Sequence, residues 1–172
     1  MDKQEFFLLI PAIIYGVAIV DLLKVFKSRK TYWEITGWGV LLMVIIISTW
    51  AELYNKLGAL VDSNINFFLI IGQSIVYAQA ASLITPEEKH LNTKDYFQSI
   101  RKPFFLVLAG IPIFNLLVTF FVFDDHAPAW LRPTGLILGL ACAFYDRVWF
   151  RATVLVFYFI LAVLVVFVNQ GF

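Results

Sequence analysis

The chain has 172 residues, of which 61% are apolar and 15% charged, and its 13 Lys and Arg against 12 Asp and Glu give a formal net charge of +1. Soluble domains average about 45–50% apolar and ~25% charged residues, so this balance excludes a soluble domain beside membrane spans and predicts one integral membrane domain over 1–172. The near-zero net charge excludes a global field recruiting nucleic acid, and the lone Cys142 excludes an intrachain disulfide, a CxxC redox motif and a Cys/His zinc cluster.

The first apolar segment runs over about 6–23, with Pro11 one turn in and Asp21 beside Lys24 at its end. A basic cluster follows this run instead of preceding it, which is the reverse of a secretory signal. The segment is therefore expected to be retained as a first span, with its N-terminus translocated. The second, about 33–54, carries Trp33 and Trp50 near its ends, where indole rings favour the headgroup level. Its β-branched run Val44 to Ile47 does not argue for a strand, because a lone segment in hydrocarbon satisfies its backbone only as a helix.

The third span is expected over about 65–84. Thr85-Pro86-Glu87-Glu88 then reads as a helix start, with a capping Thr, a Pro at the first helical position and a carboxylate three residues after the cap. In the loop that follows, Tyr96, Phe97 and Ile100 share a helical face against Lys94, Asp95, Gln98, Arg101 and Lys102. Two readings stand: a segment lying on the membrane surface, or a lead-in to the next span. The fourth span is placed over about 103–123, kinked at Pro112. The fifth, about 133–145, is short, and the sixth covers about 149–168.

The resulting fold class is an all-α membrane protein, six transmembrane helices in three antiparallel hairpins. Ten of the 13 basic residues then fall in alternate loops: Lys24, Lys27, Arg29, Lys30, Lys89, Lys94, Arg101, Lys102, Arg147 and Arg151. Only Lys3, Lys56 and Arg132 fall on the other side. Basic residues near span ends stay in the cytoplasm, so both termini are expected outside, in a plasma (inner) membrane. Arg29-Lys30-Thr31-Tyr32-Trp33 and Arg101-Lys102-Pro103-Phe104-Phe105 echo each other, and Arg147-Val148-Trp149-Phe150-Arg151 is a looser copy. The echo fits either three duplicated hairpins or the ordinary order of basic and aromatic residues at a cytoplasmic re-entry.

Polar groups inside hydrocarbon mark the candidate sites. On span two, Glu34 and Glu52 lie 18 residues apart, five helical turns, with Ser48 one turn before Glu52. They read either as acids at the two mouths of an ion path or as interfacial residues with basic neighbours. On span three, Asn66, Gln73 and Tyr77 recur on one face, preceded by Asp62 and continued by Ala80 and Ala81. Asn115 and Thr119, just beyond Pro112, are the expected partners of that stripe. The stripe either lines a cavity or bonds helices together. Asp21 is expected to pair with a nearby Lys, or to act as a proton acceptor. Gly135 and Gly139 form a GxxxG that permits close helix packing. Asp124-Asp125-His126 reads as a solvated loop.

No HExxH, GxSxG, P-loop or paired-Asp motif occurs. Both histidines fall in loops and no Lys falls mid-span, so no haem pair or retinal Schiff base is expected. No cofactor or metal is expected.

The Tyr32-Trp33 re-entry, the stretch from Asp95-Tyr96-Phe97 to Phe104-Phe105 and the Arg147/Trp149 hairpin together resemble a group of small uncharacterised bacterial six-helix membrane proteins. That resemblance implies an inner-membrane location and carries no activity and no site residue. Two functions are expected: a non-enzymatic assembly, sensor or scaffold component, or a small oligomeric transporter or channel using the polar stripe of spans two to four. The expected partners are the lipid bilayer and a protein partner or further copies of the chain, with no nucleic acid.

Overall fold

The computed structural model describes residues 3–27, 31–55, 64–86, 92–122 and 131–169, with side chains placed for 7–27, 31–55, 64–86, 92–122 and 133–163. The described residues form six helices: α1 (Lys3–Lys27), α2 (Trp33–Asn55), α3 (Asn64–Ile84), α4 (Thr93–Phe121), α5 (Leu131–Phe144) and α6 (Val148–Asn169). The fold is all-α, and α1 to α4 are long and apolar enough to cross a membrane. At 14 residues, α5 extends only about 21 Å, short of the ~30 Å hydrocarbon core.

The helices close into a ring in which α1 packs on α2 and α3, α3 on α4, α4 on α5, α5 on α6 and α6 back on α2. Contacts from α2 to α3 and α4 fill the middle. The core there is aromatic. Trp38 is wholly buried, its ring 5.0 Å from Phe105 and 6.2 Å from Phe104 and Tyr158. These edge-on geometries suit the ring quadrupoles.

Helix α4 departs from the expected 103–123 span. It starts ten residues earlier, at Thr93. The Asn92 side chain accepts from the Lys94 and Asp95 amides, at 3.1 and 3.4 Å, and donates to the Asp95 carboxylate at 2.7 Å. This cap satisfies donors that a helix start leaves open, so Pro103 lies inside the helix. The amphipathic stretch before it does not form a separate surface segment. Phe97 is wholly buried and packs 5.9 Å from the Tyr32 ring and 6.3 Å from Phe104 and Phe105. Its apolar face meets protein, while Lys94, Asp95, Gln98 and Lys102 are exposed.

Side chains close the corners at this end of the bundle. Thr85 follows α3, and its hydroxyl donates to the Ala81 carbonyl (2.8 Å) and the Asp21 carbonyl (3.0 Å), tying α3 to α1. Glu87 and Glu88, the rest of the expected helix start, lie outside the described residues, as do Asp62, Asp124, Asp125 and His126. The Tyr96 hydroxyl donates to the Leu83 and Thr85 carbonyls at 2.8 and 3.1 Å. The Tyr32 amide donates to Thr93 Oγ1 at 2.9 Å.

Candidate functional site

The most concentrated polar chemistry lies where α2 and α6 begin. Arg151 and Glu34 are both wholly buried. Arg151 Nε donates to Glu34 Oε2 at 2.7 Å and Nη2 to Oε1 at 3.0 Å, a two-pronged pair. The planar guanidinium matches a carboxylate in this way, and such charge-assisted bonds are roughly twice as strong as neutral ones. Tyr32 Oη donates to the same Oε1 at 2.7 Å. The remaining prong, Arg151 Nη1, donates to Asp146 Oδ1 at 3.0 Å, and that oxygen also accepts from Arg101 Nη1. The knot therefore joins the starts of α2 and α6, the α5–α6 corner and α4, running from a buried carboxylate to the exposed Asp146.

Local chain geometry explains the meeting. Glu34 follows the aromatic pair Tyr32-Trp33, and Arg151 follows Trp149-Phe150. Helices α2 and α6 pack side by side and both begin at this end. Equivalent early positions therefore lie level, with opposite charges. Glu34 is in the first turn of α2, where the helix dipole favours a negative charge. The Tyr32 phenol is pushed up to about 12, first by burial, then by its hydrogen bond to Glu34 and the negative charge there. It stays a donor at every physiological pH.

A second polar group is uncharged and lies deeper. Gln73 Nε2 donates to Asn115 Oδ1 at 2.7 Å, and Tyr77 Oη donates to the same oxygen at 3.3 Å. Thr49 Oγ1 on α2 lies 3.3 Å from Tyr77 Oη. Gln73 and Tyr77 are buried and Asn115 half-buried, so the bonds link α2, α3 and α4 from inside. Asn66 and Thr119 are buried, and each has a bonding or ring partner. Among the described residues, one surface groove of about 290 Å³ is lined by Ala12, Tyr15, Gly16, Ile19, Ile47 and Trp50, and another of about 100 Å³ lies beside Pro112 and Pro133. Neither includes Gln73, Tyr77 or Asn115.

The other sequence candidates are dispersed. Glu52 and Ser48 are half-buried on the later half of α2, far from Glu34. Asp21 accepts from Lys24 Nζ at 2.6 Å, with the lysine mostly exposed. Gly139 lies against α4: an added Cβ would sit 3.0 Å from the Ala109 Cβ and 3.1 Å from its Cα. At Gly135 it would sit 3.1 Å from Pro112 Cγ. The GxxxG face is thus used within the chain, and Tyr158 Oη of α6 donates to the Gly135 carbonyl at 2.6 Å. These contacts hold the short α5.

Sequence reasoning counted Arg151 among the basic residues of the cytoplasmic loops and left Asp146 and Tyr32 out of any site. A signal was available: an acid and a base occupy the same slot after two echoed aromatic pairs. No protein-family model, curated protein or solved structure matches the chain.

Proposed function

We propose that the chain is a non-enzymatic multi-pass protein of the bacterial inner membrane, an assembly or scaffold component with six spans in three hairpins. The observation supporting it is that Gln73 and Tyr77 both direct their donors to Asn115 inside packed helices. The polar stripe thereby acts as interhelical bonding, worth ~0.6 kcal/mol per bond on average. A transport path would need those atoms turned to water.

Orientation follows from charge. Lys24, Lys27, Lys94, Arg101, Lys102, Arg147 and Arg151 gather at the end where α2, α4 and α6 begin. The positive-inside rule makes this the cytoplasmic end and puts both termini outside. At 22 residues, α6 extends about 33 Å, enough to cross, and α5 crosses while held by α4 and α6.

Purified chain in proteoliposomes tests the reading. Asn115→Ala is expected to lower the thermal midpoint while proton and potassium flux stays at the protein-free level. A wild-type flux that Asn115→Ala abolishes at unchanged midpoint would replace this reading with a transporter. A protein co-purifying in fixed stoichiometry from native membranes would support the assembly role directly.

A further inference from the structure

The charged knot leaves a surplus at its outer edge. Among the described residues, Arg101 and Arg151 share the carboxylates Glu34 and Asp146 there, with Lys102 and Arg147 beside them in the chain. Arg151 is taken by Glu34 and Asp146, and Arg101 by Asp146. Lys102 and Arg147 are the chain neighbours of the paired Arg101 and Asp146, so they flank that ion pair, and both are exposed. Among the described residues neither has a carboxylate partner.

The surface beside these two cations is apolar and aromatic. Phe144 is 67% exposed, Trp149 63% and Tyr145 47%. Lys102 Nζ stands over the Phe144 ring, 5.2 Å from its centre. Tyr145 packs edge-on against Trp149 at 6.5 Å and Phe150 at 5.3 Å. Two cations with no carboxylate partner among the described residues thus border rings that the described helices leave exposed. A soluble phosphate would satisfy the charges and leave the rings to a separate lipid molecule. A molecule with a negative headgroup and acyl chains satisfies both.

We propose that the α5–α6 corner, with Lys102 of α4, binds an anionic phospholipid. Lys102 and Arg147 hold its phosphate, and Phe144, Tyr145 and Trp149 line its upper acyl chains. The site rests on the membrane reading given above. It adds a lipid preference that a general positive-inside bias does not require.

The test uses the full chain reconstituted in nanodiscs of phosphatidylcholine with graded phosphatidylglycerol, followed by native mass spectrometry of retained lipid. Phosphatidylglycerol should be retained preferentially. Basic groups near a membrane surface each contribute enough for about a fivefold change, so K102Q and R147Q should each lower retention by that factor and the double variant roughly thirtyfold. K27Q, on α1 whose packing partners are α2 and α3, should leave retention unchanged. Equal retention of the two lipids, or a double variant that behaves as wild type, overturns the site. Displacement of the lipid by millimolar glycerol phosphate also overturns it, in favour of a free-phosphate site. Release of the chain from native membranes by alkaline carbonate would instead overturn the membrane reading itself, which separates the two failures.

Discussion

Glu34 and Arg151, 117 residues apart, form a buried two-pronged ion pair between the first turns of α2 and α6. Removing one partner of such a pair strands the other charge and typically costs about 3–5 kcal/mol, whereas an apolar replacement of both is often neutral. Arg151→Ala or Glu34→Ala should therefore lower the thermal midpoint in detergent sharply. The double variant Glu34→Leu/Arg151→Met should recover most of the loss. Arg151→Lys should not, because an ammonium cannot grip both carboxylate oxygens in a planar fork. Circular dichroism melts of the four variants check the order. A double variant as unstable as the worse single one would rule out the pair as the cause.

The phenol of Tyr32 gives a pH signature. Its pKa is raised from 10.0 to about 12, so the fold favours its protonated form. That contribution is fully present below pH 10, the unfolded value, and is lost as pH rises through about 12. Tyr32→Phe should flatten the fall in stability across this alkaline window and leave the neutral range without a new pH dependence. An unchanged alkaline slope in this variant would show that other groups set it.

The glycines separate packing roles. A Cβ at Gly139 meets Ala109 at 3.0 Å, while at Gly16 it meets nothing within 4 Å. Gly139→Val should destabilise by ~1–3 kcal/mol through overpacking. Gly16→Ala should be neutral or slightly stabilising, since alanine favours a helix by about 1 kcal/mol over glycine. Melting midpoints of the two variants decide it. A harmless Gly139→Val would mean that α5 does not seat against Ala109.

Orientation is testable by labelling single cysteines at Ser63 and Asn92 in a Cys142→Ser background. An impermeant maleimide added to intact cells should reach the first and not the second. The opposite pattern would invert the topology.

Apolar run length located the helices, because a segment in lipid has few alternatives to a helix. It misplaced the start of α4, since Pro103 opens the apolar run and proline favours a first helical turn. The capping of Lys94 and Asp95 by Asn92 decided the boundary, and capping carries no hydrophobic signal. The stripe of Asn66, Gln73 and Tyr77 was legible because seven and four residues return to one helical face. Its junction with Asn115 followed from α3 and α4 being consecutive. The Glu34–Arg151 pair was legible only as an acid and a base in matching slots of the aromatic echo; that they meet depends on α6 closing the ring against α2, which counting charges per loop does not reach.

That closure has a temporal side. The ribosome makes Glu34 117 residues before Arg151, roughly ten seconds at ~5–20 residues per second. Throughout that interval the carboxylate lacks the Arg151 guanidinium that it grips in the finished fold. Arrival of the last helix ends the wait. A chain stopped before α6 therefore lacks the guanidinium that compensates Glu34 in the complete fold.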